Sequence, residues 1–562
     1  MSVPLYRSPS MFAGVLLLAL RCTAAPAATL TVNSLGDDVT PADGRVTLRE
    51  AILAANADAS TDLGQVGNGA DVIDLGGLSG TIALDGALPP IASDITIRGP
   101  GRASLTILGA AHGDGSDDGI FFVAPNGALA LEDLTLAGGT SQGGHGGAVQ
   151  RDGAGGGAAG LGGAVVVSAG TFSATAVDFV GNRALGGAGG ITSGPFGVYG
   201  AGGGGGFGQD APDSPADDFG SDGGAGGPFG TSGGVGGTSG YGGNGGNGGD
   251  GAGGGGGGTG IATRGGNGGF AGGGGGAGWA NCAAGPAGAG GFGGGGGGGT
   301  VCDIGPVALA RGAAGGAFGG SGGDGKSGPA GGGGGGGAGL GGALFVRSGA
   351  TATLVNCRFS NNRAVRGVGG AAGNYNGTPG NAGTNGQGKG GAIFVMSGAS
   401  LSGSGVLFDG NAADDAGTDA GDNADVYGNV QLTQGEALGF TKNSFVTDSR
   451  TSATITIPLR VSTSDGAPTS TDANVDYTTV DGTAFAGVDY VAASGTLLIP
   501  AGTASGTLYS IDVSLLPPTG IVPSRTFQVR LSNLAGAYGD TVTTAGVLLE
   551  ASDTVFRDGF EP

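Results

Sequence analysis

Short apolar triplets follow a Gly-Gly-Ala sequence at three places in the chain. A second apolar patch ending in Phe-x-x-Asn comes after each triplet, at nearly constant spacing. A strand of three to five residues buries one face and needs a neighbour, so repeats at fixed spacing are expected to stack. The pattern predicts an all-β fold with a right-handed parallel β-helix, rather than three unrelated hairpins. The paired second Gly and Asn of the copies are Gly163 and Asn182, Gly342 and Asn362, and Gly391 and Asn411.

The predicted corners of the coils contain glycine and asparagine, which suit sharp turns of the backbone. A Gly pair permits a sharp turn with positive φ. Asn tolerates the left-handed conformation and can form a hydrogen-bonded ladder when copies stack. The Gly-Gly-Ala-Ile and Phe-x-x-Asn sequences, best seen at 390–393 and 408–411, resemble the repeats of chlamydial-type polymorphic outer-membrane proteins and their bacterial relatives. That resemblance implies an exported β-helix protein.

Residues 71–185 continue the alternating pattern before and through the first repeat. Turn residues separate the strands, and no helix-length apolar period intervenes. We therefore expect these residues and 341–435 to form coils of one solenoid. The clearest predicted strands are at 72–75, 81–84, 94–98, 105–108, 120–123 and 128–136.

One short helix is predicted near the start, within 29–70. Leu48, Ile52 and Ala55 recur at helical spacing, and Thr47 with Glu50 makes a capping box. The run Leu-Arg-Glu-Ala-Ile from Leu48 resembles the N-terminal Cys-Ser-Leu-Arg-Glu-Ala motif of exported bacterial β-helix proteins, although Val46 stands in place of its Cys. We expect the helix to cap the open end of the solenoid.

Glycine dominates residues 186–340, and Gly supplies 143 of the 562 residues overall. With only 23 Pro and no sustained period, the chain is not collagen. A flexible insertion is one interpretation. The other, which we favour, is a set of packed three-residue polyglycine helices, because long unstructured blocks are uncommon inside a domain. The Gly-Gly-x triplets resemble those of mycobacterial glycine-rich surface proteins.

From about residue 440 to 550, glycine declines and β-branched strands indicate a β-sandwich. The sequence 481–490, Asp-Gly-Thr-Ala-Phe-Ala-Gly-Val-Asp-Tyr, together with 494–497 and 527–533, resembles a Calx-β domain. Asp481 matches a ligand position of its calcium-binding members, and Asp448 lies near another acidic position. The acidic run of those members is replaced here by Leu-Leu-Pro-Pro-Thr-Gly at 515–520. Turn formation explains Asp481 equally well. Calcium is thus a candidate ligand, and no other cofactor is expected.

The first 28 residues have the order of a secretory signal peptide: a positive charge, an apolar run, then small residues. No later segment has 18 uninterrupted apolar residues, so no transmembrane helix is expected. In an exported chain, a disulfide between Cys282 and Cys302 is plausible. Cys357 is expected to be a small buried apolar residue.

A net charge of −22 argues against nucleic acid as a partner. Because many β-helix proteins degrade polysaccharides, an enzyme has to be considered. Asp117-Asp118 and the sequence around His145 resemble two of the four short motifs of polygalacturonases, in which carboxylates supply acid and base. The other two motifs, Asn-Thr-Asp and Arg-Ile-Lys, are absent. A lyase or glycoside hydrolase is therefore the alternative function.

The leading hypothesis is a non-enzymatic adhesin or surface structural protein, whose ligand would be a surface glycan or protein and whose oligomeric state is open. The terminal residues 551–562 resemble a short Asp-Gly-Phe-Glu tail seen on exported proteins of Gram-negative bacteria. We accordingly expect secretion or display on the outer cell surface of such a bacterium.

Overall fold

The computed structural model shows an all-β protein, with one α-helix among the residues that it describes. Parallel sheets dominate the first three quarters of the described chain, and antiparallel sheets the last. The described residues are 27–110, 119–194, 200–214, 219–238, 243–259, 263–279, 285–300, 311–326, 330–375, 377–419, 421–434, 436–449, 451–463, 468–469, 472–518, 523–535, 538–539 and 543–550.

The helix α1, Leu48–Ala57, begins at the predicted capping box. The Thr47 hydroxyl accepts from the Glu50 amide at 3.2 Å, and the Glu50 carboxylate accepts from the Thr47 amide at 3.0 Å. Its apolar side packs into the same core as the first strands. The strands up to the first repeat are β1 Thr29–Thr31, β2 Ala70–Asp74, β3 Gly80–Ala83, β4 Asp94–Arg98, β5 Leu105–Leu108, β6 Phe121–Val123, β7 Ala128–Ala137, β8 Thr140–Gln142, β9 Gly160–Leu161, β10 Val165–Val167, β11 Thr171–Val180 and β12 Arg183–Leu185.

The second and third repeats form a further set of short strands. A short 3₁₀ helix, Gly227–Phe229, lies within the glycine-rich residues that precede them. The strands are β13 Gly339–Leu340, β14 Leu344–Val346, β15 Thr351–Val355, β16 Arg358–Ser360, β17 Arg363–Val365, β18 Asn374–Tyr375, β19 Thr378–Pro379, β20 Gly388–Lys389, β21 Ile393–Val395, β22 Ser400–Asp409, β23 Ala412–Ala413, β24 Val426–Tyr427 and β25 Gln431–Gln434.

Four parallel sheets run across these repeats. One contains β9, β13 and β20, the second β6, β10, β14, β21 and β24, and the third begins β1-β2-β4-β7-β11 and continues through β15, β16 and β22. The fourth contains β8, β12, β17 and β23. Each of β9, β13 and β20 begins one pass of the chain through the four sheets in this order. Because there are three such passes, equivalent residues of successive repeats become neighbours.

Stacking in register creates rows of identical side chains. Phe179 stacks on Phe359 with 4.4 Å between ring centroids, and Phe359 stacks on Phe408 at 5.5 Å. The expected asparagine ladder is also present: the side-chain amide of Asn182 donates to Asn362, and that of Asn362 donates to Asn411, both at 2.9 Å. The buried corners of the repeats therefore satisfy their polar groups mutually.

The glycine-rich residues are joined by backbone hydrogen bonds that repeat every third residue. The amides of Gly245, Gly248 and Gly251 donate to the carbonyls of Arg264, Asn267 and Phe270. The same three-residue step links 265–277 to 286–298, and 290–299 to 314–323. Residues 143–160 and 366–387 make similar bonds, so the array, here called the glycine block, extends beyond the predicted 186–340.

Within the glycine block, arms made only of glycine and alanine are buried, and arms with Gly-Gly-x triplets are outside. Residues 251–258, 271–278 and 293–299 are buried throughout, whereas Asn244 and Asn267 are exposed. A Cβ placed on most of the glycines would lie within about 2.5 Å of a neighbouring backbone atom, far inside van der Waals contact. Close packing of bare backbones therefore explains the composition.

The remaining strands form two sheets around a separate hydrophobic core. One sheet has the order β31-β28-β26-β33, and the other has the order β27-β34-β32-β29-β30. Side chains from both sheets, including those of Ile457 and Phe527, are fully buried between them. The strands are β26 Glu436–Phe440, β27 Ser444–Thr447, β28 Thr454–Thr463, β29 Ala473–Asp481, β30 Ser494–Ile499, β31 Leu508–Ser514, β32 Arg525–Ala535, β33 Tyr538–Gly539 and β34 Thr544–Leu549.

Candidate functional site

The middle residue of each apolar triplet faces away from the main core. Successive side chains of a strand point to opposite faces, so Val165 and Val167 enter the main core while Val166 joins a second apolar cluster. Because the strands pair in register, these middle residues line up in one column. The column contains Phe122, Val166, Phe345, Phe394 and Tyr427.

Turns of the glycine block place further rings on this column. Phe229 contacts Phe122 edge to face, with centroids 5.0 Å apart. Phe292 lies 6.2 Å from Phe394, and Phe318 lies 5.3 Å from it. The combined set, here called the aromatic seam, fastens the glycine block to the parallel sheets. Its rings are Phe122, Phe207, Phe229, Phe270, Phe292, Phe318, Phe345, Phe394 and Tyr427.

A cleft of about 650 Å³ opens at the C-terminal end of the aromatic seam. Tyr427 stacks on Phe394 at 4.7 Å with an interplanar angle of 7°, and Phe318 meets Tyr427 nearly perpendicularly, at 84° and 5.2 Å. Rings thus form two walls that meet at a right angle. The lining residues are Phe292, Phe318, Phe394, Val395, Met396, Ser397, Gly398, Ala399, Gly421, Tyr427, Gly428 and Asn429.

Three polar side chains in this cleft have spare hydrogen-bonding capacity. Ser397, Asn429 and the Tyr427 hydroxyl make no side-chain hydrogen bond to another described residue. Burial raises the pKa of Tyr427, and the carboxylate of Asp419 raises it further, so the hydroxyl stays protonated. A mostly apolar cleft with a few polar groups is the usual form of a small-ligand site.

A buried lysine lies beside the cleft. Lys389 occupies the position in its sheet that Leu161 and Leu340 occupy in the preceding repeats. Its fully buried ammonium donates to Asp422 at 2.7 Å and Asp419 at 3.1 Å, and also to the Thr418 hydroxyl. Burial lowers the pKa of Lys389, but the bonds to the two carboxylates outweigh burial, so the pKa lies above its ordinary value.

This lysine attaches the acidic residues Asp419 and Asp422 to β20, in the sheet of β9, β13 and β20. Two carboxylates contact one ammonium, so this group, which adjoins Tyr427 without lining the cleft, carries net negative charge. Nζ of Lys389 lies 5.7 Å from the Tyr427 ring centroid. The ammonium therefore lies next to the Tyr427 ring, and the net negative charge of the group favours neutral or cationic ligands in the cleft.

His145 lies outside this cleft, in the glycine block. Its Nδ1 accepts from the Ala188 amide at 2.8 Å, and its own backbone amide donates to Asp210 at 2.7 Å. The ring is exposed, with Nε2 3.4 Å from the amide nitrogen of Gln142. These contacts hold a turn together. Asp117 and Asp118, the carboxylates of the alternative enzyme hypothesis, lie outside the described residues.

The two candidate calcium ligands belong to the C-terminal sheets. The Asp481 carboxylate accepts from the Ala486 amide and the Tyr490 hydroxyl, and the bond from Tyr490 is the main reason that the pKa of Asp481 is lowered. The backbone carbonyl of Asp448 accepts from the Ser452 amide in a turn. In the described part of the chain, no three His, Cys, Asp or Glu residues converge in a way that suits a metal ion.

Among the cysteines discussed above, the structure describes Cys357. Cys357 is fully buried, as predicted, and burial raises the pKa of its thiol to about 12. Cys282 and Cys302 lie outside the described residues, as does the predicted signal peptide up to residue 26. Over the ranges that the structure describes, no helix is long and apolar enough to cross a membrane.

The aromatic seam was missed by reasoning from the sequence. A signal for it exists: Phe229, Phe270, Phe292 and Phe318 each interrupt a glycine-rich run. Their partners Phe345 and Phe394 sit in the middle of apolar triplets. Sequence spacing does not pair the two sets, because only the folded block brings its turns onto the column.

No protein-family model matches this chain. No curated protein matches it either. Among solved structures, the apo form of the Calx CBD1 domain is 23% identical, with 21% of this chain and 98% of that chain covered and a TM-score of 0.19. The Calx CBD2 domain is 15% identical, with 21% and 88% covered and a TM-score of 0.18.

A third similar structure, CBD12 from Calx1.2, is 23% identical, with 20% of this chain and 44% of that chain covered and a TM-score of 0.18. The weak structural neighbours are therefore Calx-β domains. At these TM-scores the likeness carries no argument about function.

Proposed function

We propose that the protein is an exported, non-enzymatic adhesin or surface structural protein. Its four parallel sheets would be coils of a right-handed parallel β-helix, its glycine block a bundle of three-residue polyglycine helices, and its C-terminal sheets a Calx-β-like sandwich. Repeated visits to the same sheets, in register, support the first assignment. The three-residue hydrogen-bond step supports the second.

The observation that carries this proposal is the attachment of the glycine block along the aromatic seam. Interlocked backbones and rings in mutual contact make a stiff body without long flexible side chains in its interior. Such a body suits display and mechanical support at a cell surface, where a stacked repeat presents an extended face. The signal-peptide order of residues 1–28 supports export.

The test has two parts. Expression of the full chain in a Gram-negative host should give a protein that protease added outside the cells can digest, or that accumulates in the medium. Retention in the cytoplasm of a chain with an intact N-terminus would count against export. Incubation with plant, algal and bacterial polysaccharides, with and without calcium, should give no shortened or unsaturated products by mass spectrometry.

Products that disappear on His145→Ala or Asp118→Ala would contradict the non-enzymatic proposal and establish the alternative, a polysaccharide-degrading enzyme. The structure places His145 in a turn where its Nδ1 already accepts from a backbone amide.

A further inference from the structure

We propose that the cleft at the end of the aromatic seam binds an organic cation, of the quaternary ammonium class. This inference names the ligand chemistry of the proposed surface protein and so rests on that function. The rings of Phe292, Phe318, Phe394 and Tyr427 line the cleft, and because Phe345 and Tyr427 stack on the two faces of Phe394, that ring presents its edge there. Aromatic faces attract cations through the ring quadrupole, and cages of such rings are a general means of holding methylated ammonium groups.

The ring geometry favours a rounded ligand over a flat one. Phe318 is perpendicular to both Phe394 and Tyr427, with interplanar angles of 89° and 84°. Phe292 is inclined by 70° to Phe394. A sugar ring stacks best on one flat platform, whereas a trimethylammonium group contacts several inclined surfaces at once. Met396, a polarizable thioether, completes the apolar lining.

Charge favours the same occupant. Lys389 is buried and already paired with Asp419 and Asp422, so this group of three residues contributes a net negative charge beside Tyr427. Asp419 is half exposed and acts on the Tyr427 hydroxyl. An anionic ligand would be repelled here, and the whole chain carries a net charge of −22.

The polar groups of the cleft are placed to bind the rest of such a ligand. Ser397 and Asn429 lie on its rim with side chains that can donate and accept. They suit a hydroxyl or carbonyl attached to the cationic head. Choline has this combination of a trimethylammonium group and a hydroxyl, and it is therefore the probe of choice.

The experiment is a calorimetric titration of the full chain with choline chloride at fixed ionic strength. The neutral isostere 3,3-dimethylbutan-1-ol has the same shape without the charge, and glucose and cellobiose represent neutral sugars. We expect saturable binding of choline at one site and at least about tenfold weaker binding of the isostere. Tyr427→Leu should weaken choline binding about tenfold, and Tyr427→Phe should largely retain it.

Phe485→Leu, which changes an exposed ring in the loop between β29 and β30, is the control and should leave binding unchanged. Asp419→Asn should weaken choline binding but not that of the isostere. Equal affinity for choline and the isostere would overturn the proposal, as would binding of sugars in preference to choline, or no binding. Binding is measured on purified protein, so failed export or enzyme activity would leave this result intact.

Discussion

Arg49, the arginine of the Leu-Arg-Glu-Ala sequence, has a structural explanation. Its guanidinium pairs with Asp37 at 2.6 Å and donates to the carbonyls of Gly86 and Ala87. The Asp37 carboxylate is almost fully buried and also accepts from the Asp85 amide. Arg49 therefore joins α1 to the loop before β4, and the resemblance to the Leu-Arg-Glu-Ala motif is consistent with a structural purpose.

Replacing Arg49 by Ala should destabilise the protein by about 3–5 kcal/mol, because it leaves the buried Asp37 without its counter-charge. Thermal unfolding followed by calorimetry measures this. Arg98→Ala is a matched control: its pair with Glu132 is exposed, and its loss should change the unfolding temperature little. Similar losses for the two variants would contradict the role given to Arg49.

Asp152 is a fully buried carboxylate in the glycine block. It accepts from the Gly200 amide at 2.7 Å and from the Thr300 hydroxyl at 3.2 Å. Burial raises the pKa of Asp152 to about 6, and these bonds only partly oppose it. Because the folded pKa exceeds the unfolded value of 3.8, the stabilising contribution is complete below pH 3.8 and is lost as pH rises to about 6.

Asp152→Asn should therefore stabilise the glycine block above pH 6, by up to about 3 kcal/mol, and change little below pH 4. An Asn side chain can accept from Gly200 and donate to Thr300, so it avoids burying a charge. Unfolding temperatures of both proteins at pH 4 and pH 8 measure the difference. An equal effect at the two pH values would show that ionisation of Asp152 is not its cause.

At the scale of elements, the arms of the glycine block divide into inner and outer ones. The inner arms, such as 293–299, have no room for a side chain at most positions, and the outer arms carry one every third residue. A row of asparagines links outer arms: Asn247 accepts from the Asn267 amide, and Asn267 accepts from the Ala289 amide. Triplet periodicity is thus a feature of exposed arms only.

Gly294→Ala should destabilise the glycine block by about 3 kcal/mol or more, because the new methyl group would lie about 2.0 Å from the Gly272 carbonyl oxygen. Limited proteolysis with peptide mapping, together with calorimetry, would detect the loss. Gly77→Ala is the control, since a Cβ there meets nothing within 4 Å, and it should be neutral or slightly stabilising. A tolerated Gly294→Ala would disprove the close packing.

At the scale of the whole molecule, the aromatic seam joins parts that are far apart in the sequence. The rings of Phe122 and Phe229 touch although 107 residues separate them. Arg347 strengthens the junction: its guanidinium lies 3.9 Å from the Phe270 ring centroid and pairs with Asp250 at 2.8 Å. The parallel sheets and the glycine block accordingly share one apolar surface.

Removing residues 186–338 of the glycine block should expose that surface. Residues 366–387 connect the same two sheets as residues 186–338 do one repeat earlier, so a copy of the shorter connection can replace the longer one. We expect the variant to retain its sheets by circular dichroism but to bind the dye ANS, because Phe122 and Phe345 lose their cover. A variant that binds no more dye than the natural chain would show that the seam contributes little burial.

Local patterns were sufficient for much of this architecture. The spacing from Gly163 to Asn182, repeated twice, correctly predicted which residues stack, and Thr47 with Glu50 correctly predicted the start of α1. The predicted strands at 94–98 and 105–108 correspond to β4 and β5. Each of these features depends on residues close together in the chain, where side-chain periodicity and capping act directly.

The cleft could not be predicted in this way. Phe318, Phe394 and Tyr427 belong to three different segments, and their meeting depends on how the glycine block turns back onto the sheet. The buried Lys389 also gives no sign in the sequence, since its carboxylate partners lie 30 and 33 residues later.

The sequence by itself determined the strand positions, the repeat, the helix cap and the requirement for glycine, because each is a property of neighbouring residues and of their periodicity. Only the tertiary structure decided which faces meet, where the aromatic rings converge and which carboxylates surround the buried lysine. Those outcomes depend on contacts across long stretches of chain, whose geometry is set by the packing of all the arms together.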